Sequence, residues 1–274
     1  MKNYNKAPLP FQGQKRNFVK KFKEALQDFP ADAIYVDLFG GSGLLSHTVK
    51  SVHPNAKVIY NDFDNYSERL KNIDKTNAVI KDIKSLVKGL PLKKKIDAPI
   101  RQQIIDRIKQ ESGFVDYITI SSSILFSGNY ANSIADLEKQ TFYSRVPVVD
   151  YSAEEYLQGV EIVSIDYKEL FELYKDCNNV VFLLDPPYLS TDVKTCTDDK
   201  YWSLIHYLDV LKTIEGKSFF YFTSNKSQII ELLNWLHTNN YGYSPFADAI
   251  TVSTKNTVNY SSAYEDIMIH KKIA

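Results

Sequence analysis

The sharpest chemical signal in this sequence is Asp185-Pro186-Pro187-Tyr188, which directly follows the apolar run Val180-Val181-Phe182-Leu183-Leu184. A short, wholly apolar run with β-branched residues reads as a strand buried on both faces, as in a parallel sheet. Ligands bind at the carboxyl ends of such strands, which is where Asp185 falls. The two prolines remove two N–H donors and stiffen the chain. The Asp185 carboxylate and the neighbouring backbone carbonyl can then both accept from one donor group, and Tyr188 sets a flat ring beside them. Acceptors next to a stacking face suit an amino group on a planar base. A proline turn with an incidental acid and tyrosine is the plain alternative, but it leaves the order of these four residues unexplained.

A second constellation is Asp37-Leu38-Phe39-Gly40-Gly41-Ser42-Gly43, which leaves the apolar run that begins at Ala33. Glycines at such a turn permit positive φ and let a ligand come close to the backbone. The helix that follows offers free N–H groups to a negative ligand group. Gly40, Gly41 and Gly43 do not have the G-x-G-x-x-G spacing of a dinucleotide fingerprint. Asp62 lies 25 residues after Asp37, at the end of the next apolar run, where a ribose-binding carboxylate falls in nucleotide-binding α/β units. A tight strand–helix turn without a ligand would use the same glycines.

These residues need an α/β frame to position them. Residues 15–29 place Phe18, Phe22, Ala25, Leu26 and Phe29 at helical spacing before Pro30. Ala33–Phe39 reads as a strand, Leu44–Val52 as a helix and Ala56–Tyr60 as a second strand, the βαβ rhythm of a parallel sheet. Residues 70–150 break that rhythm with the Lys93-Lys94-Lys95 run, a helical stretch over Ala98–Ser112 and a polar segment over Ser121–Ser133. The α/β pattern returns at Val160–Asp166, Asn179–Leu184 and Lys217–Thr223. A helix over Ile229–Leu236 follows, and strands near Ala249–Val252 and Ile267–His270 close the chain.

Composition narrows the function classes. In 274 residues, 33 basic and 33 acidic side chains cancel, which argues against a uniformly basic nucleic-acid coat. The charge is segregated, however: residues 1–30 carry +5 and residues 71–111 carry +6, leaving −11 elsewhere. That pattern suits one anion-facing side, or a solvated lysine-rich surface. The longest apolar runs, Val180–Leu184 and Phe219–Phe222, fall far short of the roughly twenty residues a membrane span needs. The N-terminus has no apolar signal segment, so the chain reads as intracellular. Cys177 and Cys196 cannot build a disulfide framework, and the five histidines lack metal-ligand spacing, so no metal is implied.

The four residues at 185–188 and the upstream D-x-F-x-G-x-G turn resemble the S-adenosylmethionine-dependent DNA adenine-N6 methyltransferases of the Dam-like D12 class. Two further segments add to the resemblance. Leu9-Pro10-Phe11-Gln12-Gly13-Gln14-Lys15-Arg16 is similar to that family's N-terminal cofactor segment. Val163-Ser164-Ile165-Asp166-Tyr167 is similar to the segment before DPPY, whose acid contacts the cofactor adenine. The order of motifs matches the α-group, and the resemblance spans most of residues 8–225. The family commonly carries Asn-Gly after an aromatic and then Asn-Val-Pro; here Phe126-Ser127-Gly128 and Arg145-Val146-Pro147 stand instead.

The resemblance implies a Rossmann-like methyltransferase fold with a mainly helical and loop insertion. Residues 1–69 and 161–274 would form the cofactor-binding catalytic domain, and residues 70–160 the DNA target-recognition insertion. It implies methyl transfer from S-adenosylmethionine to the N6 amine of adenine in double-stranded DNA, on a base rotated out of the duplex. The target amine would be held by Asp185, Pro186, Pro187 and Tyr188. The cofactor would meet Phe11, Lys15, Asp37, Phe39, Gly40, Gly41, Gly43, Asp62 and Asp166. Lys93, Lys94, Lys95 and Arg145 are candidates for DNA contact, with a solvated loop and a surface ion pair as their plain alternatives. An enzyme of this kind is expected to be cytoplasmic, bacterial or phage-encoded, and a monomer or weak dimer, and a cognate restriction endonuclease is a partner some relatives have. Methylation of RNA or of protein glutamine on the same fold, or a catalytically silent DNA-binding relative, are the alternatives.

Overall fold

In the computed structural model, residues 2–126, 129–146, 149–187, 202–225, 227–239, 244–259 and 262–273 are described. A seven-stranded sheet organises the chain: β1 (Ile34–Asp37), β2 (Lys57–Asn61), β3 (Glu161–Val163), β4 (Val180–Leu184), β5 (Ser218–Ser224), β6 (Ile250–Asn259) and β7 (Ser262–Lys271). The strand order is β3-β2-β1-β4-β5-β7-β6. The first five strands pair in parallel, and β7 enters antiparallel between β5 and β6. This is a Rossmann-like methyltransferase fold. Its order reverses between β1 and β4, so the carboxyl ends of those two strands flank the crevice of the sheet.

The apolar runs fill two layers. Along β4, Val180, Phe182 and Leu184 face a cluster that includes α8 (Tyr167–Tyr174), α9 (Leu204–Thr213) and α10 (Ile229–Thr238). Val181 and Leu183 face the opposite cluster, built on α1 (Val19–Leu26) and α2 (Leu44–Val52). A central strand flanked by helices on both faces has no polar side, which is why its sequence does not alternate. At the sheet's far edge the β6–β7 hairpin runs ten residues per strand, well beyond the short strands expected there. The additional residues continue the ladder past β5 as a two-stranded ribbon, and their Ser, Thr, Lys and Asn residues carry no apolar signal.

Between β2 and β3 the chain is helical: α3 (Tyr66–Lys71), α4 (Ile73–Leu86), α5 (Ala98–Lys109), α6 (Tyr117–Ser122) and α7 (Ile134–Glu138). Asp97, Asp116 and Ser133 cap α5, α6 and α7 by accepting from backbone N–H groups of the first turn. These helices enclose a cluster of their own, with Ile80, Ile83, Ile104, Ile108, Leu125 and Phe142 at its centre. No helix among the described residues is long and apolar enough to cross a membrane.

Candidate active site

The site begins with the turn after β1. Gly43 sits at φ 72° as the residue before α2, and its N–H donates to the Gly40 carbonyl. Gly40 lies against the Tyr60 ring so closely that a Cβ there would fall 2.2 Å from it. The Tyr60 hydroxyl donates to the Gly41 carbonyl at 2.7 Å, which ties the turn to β2. The turn therefore presents bare backbone to the crevice, with Phe11 packed over Gly41.

A cavity of 710 Å³ opens at this point, at the carboxyl ends of β1, β2 and β4. Among the residues proposed from sequence, Phe11, Lys15, Phe39, Gly40, Gly41, Asp166, Asp185, Pro186 and Pro187 line it. Phe39, Tyr167 and Trp202 form an aromatic wall, with ring centroids 5.0–5.4 Å apart. Such a wall suits a planar ligand ring. Asp166 lies beside that wall and caps α8, its Oδ1 accepting from the Lys168 N–H. Tyr188 lies outside the described residues, as do Ser127, Gly128 and Pro147.

Three of the proposed cofactor residues stand behind the cavity wall. Gly43 shapes the turn without lining the cavity. Asp37 is fully buried beneath the turn, where its Oδ2 accepts from the Ser46 hydroxyl at 2.7 Å. Burial pushes its carboxyl up to about 7, with the Asp185 charge adding to the rise. The Ser46 hydroxyl and the N–H groups of Phe39 and Ser46 pull the other way. Asp62 accepts from the Tyr66 and Ser67 N–H groups at 2.6 and 2.8 Å and from the Tyr60 hydroxyl at 3.0 Å. Its carboxylate caps the first turn of α3, and Asp64, two residues on, joins Asp166 and Asp185 in lining the cavity. Asp62 itself does not line the cavity.

Lys15 and Asp185 join the two ends of the site. Lys15 Nζ lies 2.6 Å from Asp185 Oδ2 and donates to the Gly13 carbonyl at 2.9 Å. The lysine side chain is only 5% exposed, so the pair is held largely away from water. Burial pushes the Asp185 carboxyl above the usual carboxylate range; the Lys15 ammonium pulls it back and the Asp266 charge raises it further. An ammonium at this distance favours the ionised carboxylate.

Several cavity residues carried no sequence signal. Asn61 is fixed at the end of β2 by donating to the carbonyls of Leu38 and Ile165. Phe63 and Asp64 follow it into the cavity, together with Lys168, Trp202 and His206. Phe63 and Asp64 were discoverable as neighbours of a strand end. Trp202 and His206 stand at the head of α9, where no spacing rule connects them to the motifs.

The Lys93–Lys95 run and Arg145 come together at the edge of the helical region. The Lys93 N–H donates to the Ser144 carbonyl, and Lys95 and Tyr143 form an antiparallel bridge. Arg145 donates to the Leu125 carbonyl at 3.1 Å, and its guanidinium lies 5.6 Å from the centre of the exposed Phe126 ring. Phe126 packs edge-on against Tyr143.

The D12 class N6 adenine-specific DNA methyltransferase family matches the chain over residues 11–99, which include Phe11, Lys15, the glycine turn and Asp62. A Haemophilus influenzae protein named "Putative methyltransferase" is 36% identical over 277 aligned residues, covering 98% of this chain and 93% of its own length. That second likeness carries through β4 and Asp185, beyond the stretch the family match covers. The chain belongs to the D12 class of N6 adenine-specific DNA methyltransferases.

Proposed function

We propose that this protein transfers a methyl group from S-adenosylmethionine to the N6 amine of adenine in duplex DNA. The observation that carries the reading is Asp185. It projects from the carboxyl end of β4 into a cavity whose other walls are a bare glycine turn and an aromatic face. When bound, the cofactor supplies an electrophilic methyl group on a positively charged sulfur. The residues present fit it: the Phe39, Tyr167 and Trp202 rings for its base, Asp64 and Asp166 for polar contacts near the sugar and base, and Gly40 and Gly41 for close backbone approach. Phe11 and Lys15 close the methionine side.

The adenine amine is a weak nucleophile because its lone pair is delocalised into the ring. Asp185 accepts one N6–H and the Pro186 carbonyl the other, which draws the lone pair back onto nitrogen and stabilises the positive charge that develops there. Lys15 holds Asp185 Oδ2, so the other oxygen is the acceptor for the base. The proton that the amine must shed on methylation would pass to the Asp185 carboxylate or to water. A carboxyl raised by burial is a better proton acceptor than a solvated one. Pro186 and Pro187 keep these acceptors rigid, so positioning supplies much of the rate. The base must first leave the duplex, at about a few kcal/mol that stacking and hydrogen bonding in the pocket repay.

The exposed Phe126 and Lys93–Lys95, with the half-buried Tyr143 and Arg145, form the face we assign to DNA, with residues 70–160 as the recognition region and the remainder as the catalytic domain. Transfer of labelled methyl from S-adenosylmethionine to unmethylated duplex DNA, followed by nucleoside analysis, tests the reading. Wild type is expected to yield N6-methyladenine, and Asp185→Ala to lose at least a hundredfold in rate at unchanged cofactor affinity, in keeping with loss of an oriented acceptor. Methylcytosine, or label on RNA or protein alone, refutes it.

A further inference from the structure

We infer that Arg69 is a positioning residue that couples cofactor binding to DNA binding, an inference that rests on the DNA reading above. Arg69 is 5% exposed on the short helix α3, and its guanidinium reaches in two directions. Towards the helical region, Nε donates to Asp116 Oδ1 at 3.0 Å and Nη2 donates to Thr119 Oγ1 at 3.0 Å. Towards the cofactor segment, Nη2 donates to the Pro10 carbonyl at 2.8 Å. Its plane also lies 5.1 Å from the centre of the Tyr66 ring, whose hydroxyl donates to the Leu9 carbonyl and accepts from the Leu9 N–H. The backbone at Leu9 and Pro10 is thus held by one helical turn of α3.

Both ends of this bridge lead to ligand sites. Pro10 is followed by Phe11, Gln12 and Gly13, which line the cavity, and by Lys15, which grips Asp185. Asp116 is the cap of α6, accepting from the Thr119 N–H and hydroxyl, and beyond the end of α6 the chain continues through the buried Ile124 and Leu125 to the exposed Phe126. A surface cap could be met by water, but this one is enclosed together with its arginine. A buried carboxylate that loses its cation is strongly disfavoured, so α6 and the cofactor segment are bound to one guanidinium. A shift of either one is felt by the other through a rigid planar fork, which a lysine ammonium cannot reproduce.

The experiment measures the dissociation constant of S-adenosylhomocysteine with and without saturating duplex DNA, and that of DNA with and without S-adenosylhomocysteine. Wild type, Arg69→Lys and Asp116→Asn are compared, with the melting temperature of each recorded. In wild type each ligand is expected to tighten the other about tenfold, by the same factor in both directions as linkage requires. In Arg69→Lys that factor falls to twofold or less, and in Asp116→Asn, which keeps the cap and loses the charge, it falls in the same sense. A purely structural role would lower the melting temperature and leave the factor intact, so a folded variant with an undiminished factor overturns the inference. So does a wild-type factor of one. Wild type that binds S-adenosylhomocysteine and no duplex DNA at all instead sinks the DNA reading on which the inference stands.

Discussion

Replacing Asp37 by Asn should stabilise the protein at pH 8 and lose most or all of that gain at pH 5. Asp37 is fully buried, one oxygen bonds the Ser46 hydroxyl, and burial is the first cause that lifts its carboxyl to about 7. An aspartate in the unfolded chain titrates near 3.9. Between those values the folded state binds a proton that the unfolded state does not, so this group's contribution to stability rises as pH falls from about 7 towards 4. At ~1.4 kcal/mol per unit, the cost of the buried charge is about 4 kcal/mol at pH 8 and about 1.5 kcal/mol at pH 5. Asn removes the charge and keeps an oxygen for Ser46, but puts a buried NH2 where an oxygen accepts no hydrogen bond, at about 1–3 kcal/mol for the unmade donor. That penalty does not titrate. The advantage of the variant over wild type should therefore shrink by about 2–3 kcal/mol between pH 8 and pH 5, whatever its absolute size. Urea unfolding of both proteins at the two pH values measures it, with equal m-values as the check on the denatured state. A gap that stays constant within about 0.5 kcal/mol refutes the reasoning, because it would mean that Asp37 carries the same charge in both states.

Two glycines should answer differently to the same substitution. Gly40→Ala sets a Cβ 2.2 Å from the Tyr60 ring and 2.8 Å from the Asn61 carbonyl, so the turn or β2 must move; cofactor binding should be lost and stability fall by several kcal/mol. Gly13→Ala meets nothing within 4 Å and suffers only its φ of +83°, so it should cost about 1 kcal/mol in thermal unfolding. His47 is buried, with Nε2 accepting from the Tyr4 N–H and Nδ1 facing the Tyr156 carbonyl, an arrangement that a neutral ring satisfies. Burial is the first cause that lowers its pKa; the bond to the Tyr156 carbonyl pulls it back and the Lys23 charge adds to the fall. A depressed histidine loses stability as pH falls below about 6.5, so wild type should lose more than His47→Gln between pH 7.5 and pH 5.0 in thermal melts. Equal losses would rule out His47 as the titrating group.

What the sequence revealed depended on how far each signal reaches along the chain. The β1 turn and β4 were legible because a wholly apolar strand ending in glycine or in Asp-Pro-Pro is a local pattern, and their pairing follows from parallel-sheet rules. The helix Leu44–Val52 is delimited by Gly43 at its start, a local signal as well. The hairpin β6–β7 was read short because past Asp266 and Thr254 its residues pair only with each other, outside the apolar frame. Trp202 and His206 were missed for the opposite reason: their place in the cavity is set by how α9 packs on β4, which no nearby spacing encodes.

Asp62 shows the limit of motif reasoning in physical terms. An acid at a strand end can face a ligand or serve the next helix, and the choice is made by the residues after it. Asn65, at φ 54°, turns the chain so that the first N–H groups of α3 point back at Asp62. Two such donors and the Tyr60 hydroxyl engage its carboxylate, and the Tyr60 ring in turn lies against Gly40. The acid is thus bound to the glycine turn through a tyrosine. An Asp62→Asn change would disturb the α3 cap and, through Tyr60, the turn itself, so loss of cofactor affinity in that variant is not evidence of a direct contact. Asp64→Asn, on the open side of the same loop, separates the two: affinity lost there without loss of thermal stability marks the ligand-facing acid.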